Sequence, residues 1–104
     1  MGKNDMTRVL INSISLVSYH KILYEKGDKI ESKKHLQDEI RGYSTDGFEK
    51  AQSCKLSKEE LAEVQEKSIK RTSTILKNKY PDISFSENEI KEKVVDTMQE
   101  FLLV

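Results

Sequence analysis

The sequence predicts an all-α protein: a compact bundle of four main helices plus one short helix, folded as a single helical domain over residues 1–104. Three observations carry this. Two helix starts of the same construction occur in the second half of the chain, and the segments behind them repeat apolar residues at i, i+3, i+4 spacing. The first half holds twelve consecutive uncharged residues, Val9 to His20, with no Gly or Pro among them. Leu, Ile, Val and Phe number 27 of 104 residues, and 18 basic groups balance 18 acidic ones. That apolar share lies above the roughly 20% below which chains stay disordered, and no net charge swells the coil.

Asn4 or Asp5 can cap a first helix running to Lys26, stopped by Gly27-Asp28. Met6, Leu10, Ile14, Val17 and Tyr24 fall on one side of it, Val9, Leu16 and Leu23 on another. A helix apolar over most of its circumference belongs at the centre of a fold. The β-branched and serine content of the same stretch leaves a strand as the alternative. Asp28 or Ser32 starts a second helix reaching Arg41, with Ile30, Leu36 and Ile40 inward and Gly42 as its stop. After a turn at Gly42-Tyr43-Ser44-Thr45, Asp46 and Glu49 stand at capping-box spacing and open the short helix, to about Ser53.

The next start is Leu56-Ser57-Lys58-Glu59-Glu60-Leu61. Ser57 can accept from the N3 amide, Glu60 can reach back to the amide of Ser57, and Leu56 with Leu61 forms a hydrophobic staple. The helix runs to about Lys79, with Leu61, Val64, Ser68, Thr72, Ile75 and Leu76 on one face, and Tyr80-Pro81 ends it. Acids lead and bases trail along it, which complements the helix dipole, and Glu63–Lys67 and Glu66–Lys70 add i,i+4 pairs. Phe85-Ser86-Glu87-Asn88-Glu89-Ile90 repeats the same start. The last helix extends to about Leu102, with Ile90, Val94, Met98 and Phe101 inward, widened by Val95 and Leu102. The short link makes the last two helices antiparallel neighbours.

Several functional classes lose support from composition. No run approaches the ~20 apolar residues of a membrane span, and no cleavage site follows the uncharged stretch. With no address visible, a cytoplasmic location is expected, and a single cysteine, Cys54, fits a reducing compartment. His20, His35 and Cys54 match no metal-ligand spacing, so neither metal nor cofactor is expected. No phosphate-binding or nucleophile-elbow motif occurs in a chain with four glycines. Adjacent carboxylates such as Asp38/Glu39 diverge by about 100° on a helix. The sequence therefore points away from an enzyme.

A helix-turn-helix over Lys29–Cys54 would present Asp46-Gly47-Phe48-Glu49 at the tip of its recognition helix, an acidic end that repels phosphate. Zero net charge likewise disfavours nucleic acid. The strongest asymmetry is electrostatic: residues 81–104 carry two basic and six acidic groups. Glu89, Glu92, Asp96 and Glu100 project on one side of the last helix, and a polar loop around Arg41 and Tyr43 offers interface-type side chains. The expectation is a small non-catalytic protein-binding module that neutralises or regulates a basic protein partner through these residues. The plain alternative for the acidic stripe is a solvated face. By size, charge density and helical plan the chain is similar to the general type of small acidic-faced helical binders, such as toxin-immunity proteins, antitoxins and inhibitors. That analogy of fold class has no motif behind it. The competing functional reading is a dimeric nucleic-acid-binding regulator using Lys67, Lys70, Arg71 and Lys77 of the Lys67–Lys79 segment. A homo-oligomer burying Leu103 and part of the first helix is a third.

Overall fold

The uncharged run Val9–His20 lies within one 24-residue helix, α1 (Lys3–Lys26), in the computed structural model, which describes residues 3–26 and 30–104. No strand forms among the described residues. The reason is spacing: Leu10, Ile14 and Val17 recur at i, i+4 and i+7 and are fully buried, and Ile22 and Leu23 extend the apolar surface around the helix. Burial on several sides outweighs the strand preference of the β-branched residues. The serines let neighbouring helices come close. Ser15 Oγ donates to the carbonyl of Ser68 at 3.4 Å, and Ser18 Oγ to Thr97 Oγ1 at 3.5 Å. The expected stop at Gly27-Asp28, the cap at Asp28 and the side chains of Asn4, Ile30 and Ser32 lie outside the described residues.

Helix α2 spans Ile30–Gln52 without interruption. This corrects the sequence expectation: there is no stop at Gly42, no turn at residues 42–45 and no separate short helix, so the described residues contain four helices. The helix-turn-helix reading falls with the turn. Gly42 and Asp46 are local stop and start signals, and long-range packing overrides both. Gly47 sits against the ring of Phe101, which is 1% exposed, so closely that a Cβ there would lie 2.3 Å from the ring. Asp46, instead of capping, pairs with Lys50 at 2.7 Å one turn on. Thr45 Oγ1 donates to the carbonyl of Arg41 at 2.9 Å, inside the helix.

Helices α3 (Lys58–Lys79) and α4 (Glu87–Glu100) begin as the sequence predicts. Both capping boxes are formed, at Ser57/Glu60 and Ser86/Glu89. Val64, Ser68, Thr72 and Leu76 are buried on α3, and Ile90, Val94, Thr97 and Met98 on α4. α4 ends two residues before the expected Leu102, which is 70% exposed and widens no core stripe. Leu102 takes φ 60. Its N–H bonds to the carbonyl of Gln99 at 3.0 Å, and that of Leu103 to Met98 at 2.9 Å. This is a Schellman cap built on a leucine where glycine is the usual residue.

α1 contacts the other three helices, and α3 packs on α4, whereas among the described residues the backbones of α2 and α3 stay apart. Residue pairs fix the directions: Ser15 with Ser68 and Tyr19 with Tyr80 make α1 and α3 parallel. Lys21 with Glu100 and Lys26 with Glu89 make α1 and α4 antiparallel. The fold is a three-helix core of α1, α3 and α4 with α2 laid along another side of α1. Its Cα radius of gyration, 13.4 Å, is close to the ~13 Å of a compact chain this long.

Candidate functional site

The acidic stripe of α4 divides in two. Glu89 and Glu100 turn toward α1: Lys26 Nζ lies 2.7 Å from Glu89 Oε2, and Lys21 Nζ 2.8 Å from Glu100 Oε1. Between them a pair of opposite sense joins Lys93 of α4 to Glu25 of α1. Lys21 also donates to Thr97 Oγ1 at 3.0 Å, and that hydroxyl donates to the carbonyl of Lys93 at 2.8 Å. The side chains of Lys21 and Lys93 are only 16% and 15% exposed, so this ladder is a seam between helices. Its charges perturb each other. The hydrogen bond from Lys26 holds the Glu89 carboxyl below its ordinary range, and the hydrogen bond to Glu25 raises the Lys93 ammonium. Half of the stripe is therefore neutralised inside the molecule, by α1.

Glu92 and Asp96 are the other half. Glu92 is exposed and Asp96 half-buried, and neither forms an ion pair with a described residue. They stand one turn apart on the same helix, where like charges repel.

Arg41 and Tyr43 lie within α2 and not on a loop. Arg41 is exposed; Tyr43 is half-buried, packed on the core, with its ring 5.2 Å from that of His20. α2 meets α4 around Phe101, whose ring covers Gly47 and whose carbonyl accepts from Gln52 Nε2 at 3.4 Å. Among the described residues no ion pair joins Arg41 to Glu92 or Asp96. On α3, Lys67 pairs with Glu63 at 2.6 Å and Lys70 with Glu66 at 3.3 Å, leaving Arg71 and Lys77 exposed without an ion pair among the described residues.

The structure gathers one cluster that spacing alone did not reveal. Buried His20 and exposed His35 both reach Glu39, with Nε2 of each 2.7 Å from a different carboxylate oxygen. His35 and Glu39 stand at i,i+4, a readable signal; nothing in the sequence points His20 at them. Cys54 lies apart, its Sγ 3.5 Å from the carbonyl of Lys50 and its thiol pushed up by burial, which lowers its reactivity. Among the described residues no three or more His, Cys, Asp and Glu side chains are placed to hold a metal ion, and no helix is long and apolar enough to cross a membrane. No protein-family model matches the chain, and neither a curated protein nor a solved structure matches it.

Proposed function

We propose that the chain is a non-catalytic protein-binding module that neutralises or regulates a basic partner, and that Glu92 and Asp96 on the outer edge of α4 are the contact. The observation that supports this is the division of the stripe. Glu89 and Glu100 are held by α1, while Glu92 and Asp96, though attracted by Lys93 between them, form no ion pair among the described residues. A lysine- or arginine-bearing partner pairs with them and is steered by their charge in diffusion. Glu89 and Glu100 then serve to fix α4, and Tyr43 to hold α2; Arg41 is a separate exposed cation. Pairing of Lys67 and Lys70 within α3 weighs against the nucleic-acid alternative, because two of its four cations are partly satisfied.

The test is capture from host extract on immobilised protein, followed by a Kd for whatever basic partner is recovered. Wild type and an E89Q/E100Q variant capture the same partner, and E92K/D96K loses it while keeping its helical signal. Undiminished capture by E92K/D96K overturns the reading. Retention on DNA that falls steeply with salt, and is lost in R71E/K77E, transfers support to the alternative.

A further inference from the structure

His20 is 6% exposed at the α1–α2 contact, and both of its ring nitrogens face oxygens that can only accept. Nδ1 lies 2.6 Å from the carbonyl of Leu16 on its own helix. Nε2 lies 2.7 Å from Glu39 Oε2 on α2. A neutral imidazole carries one N–H and one lone pair, so it satisfies one of these oxygens and turns a lone pair on the other. The imidazolium donates to both. Imidazole is also the side chain whose ordinary titration falls between pH 5 and 8.

Among the described residues the charged groups beside it are Glu39 and, across that carboxylate, His35. Glu39 is the anion in contact, its second oxygen taken by Nε2 of His35 at 2.7 Å. The neighbouring rings are Tyr19 at 4.2 Å and Tyr43 at 5.2 Å, with Tyr80, at the end of α3, 6.3 Å behind Tyr19. No charged group of α3 or α4 pairs with His20 among the described residues. Among the described residues the backbone of α2 comes near that of α1 far more than that of α4 and stays apart from that of α3, so its position depends chiefly on its contact with α1.

We propose that His20 and Glu39 form a proton-operated clamp. With the imidazolium present, α2 is locked on α1. Loss of the ring proton to solvent breaks one of the two hydrogen bonds and the ion pair, and loosens α2 while α1, α3 and α4 stay packed. This rests on the geometry of the α1–α2 contact and is independent of the role given to Glu92 and Asp96.

The test uses the full chain. Ring-nitrogen NMR of His20 between pH 5.5 and 8.5 shows both nitrogens protonated at the acid end and a lone pair at the other. Over the same range, amide protection in α2, corrected for intrinsic exchange, falls about tenfold relative to α3 and α4, the order expected for one hydrogen bond to a charged group. His35→Gln keeps this response, and Glu39→Gln abolishes it. A single neutral tautomer of His20 at pH 5.5, parallel changes in α2 and α3, or loss of the response in His35→Gln overturns the proposal.

Discussion

Two glycines of α2 stand five positions apart, and alanine should have opposite effects at them. At Gly47 a Cβ would lie 2.3, 2.6 and 3.2 Å from three ring carbons of Phe101. Ordinary carbon contacts are about 3.5–4.0 Å, so the ring must retreat by roughly 1 Å or more, and at 1% exposure it has nowhere to go. Overpacking of this kind costs about 1–3 kcal/mol. Alanine returns about 1 kcal/mol through helix propensity. With the overlap this severe, Gly47→Ala should lose about 1–2 kcal/mol net. At Gly42 a Cβ meets nothing within 4 Å, so Gly42→Ala should gain up to about 1 kcal/mol from propensity alone. Urea unfolding at 25 °C, followed by helical circular dichroism, measures both. In a Phe101→Leu background the ring is gone, and Gly47→Ala should cost less than it does in the wild type. Stabilisation by Gly47→Ala equal to that by Gly42→Ala, or the same cost with and without the ring, would refute the packing that makes α2 continuous.

Three further outcomes follow from single features. Thr72 is fully buried and its hydroxyl has no hydrogen-bond partner among the described residues, so Thr72→Val, which keeps the shape, should raise the urea midpoint by the equivalent of about 1 kcal/mol; a lower midpoint would mean the hydroxyl is satisfied. Leu102 holds φ 60 at 70% exposure, a conformation that costs a side chain about 1–2 kcal/mol, so Leu102→Gly should raise the melting temperature after its own entropy loss is set against it. A drop in melting temperature would show that the leucine side chain contributes more than the strain removes. The Glu89 carboxyl is lowered by Lys26, so its contribution is present above the ordinary carboxylate value of about 4.3 and is lost as pH falls through the lowered folded value. Lys93 is raised by Glu25, so its contribution is present below the ordinary value of about 10.4 and is lost as pH rises through the raised one. Urea midpoints should fall between pH 6 and pH 3, and fall less in Lys26→Gln; identical acid responses would remove the pair from the account.

What the sequence makes legible here is local chemistry. Ser57 with Glu60, and Ser86 with Glu89, state their helix starts within four residues, and both boxes form. The circumference of apolar residues on α1 likewise foretells its central place. Gly42 and Asp46 mislead because their signals are local too, while the contact that overrules them joins Gly47 to Phe101 across half of the chain. The candidate site shows the same limit. Helical spacing puts four acids on one side of α4, but the lysines that claim two of them come from α1, more than sixty residues earlier. His35 and Glu39 are a visible pair at i,i+4, yet His20 joins them only because α2 packs on α1. Pairing between helices depends on rotation and register, which one helix's sequence does not contain.

The acids of α4 divide into Glu89 and Glu100, which hold α1, and Glu92 and Asp96, which do not. Urea unfolding of E89Q/E100Q beside E92Q/D96Q at neutral pH measures that division directly. The first variant should unfold at a clearly lower midpoint, because two cross-helix pairs are lost. The second should be unchanged or gain up to about 0.5 kcal/mol from relief of like-charge repulsion. Equal midpoints, or a larger loss in E92Q/D96Q, would contradict it.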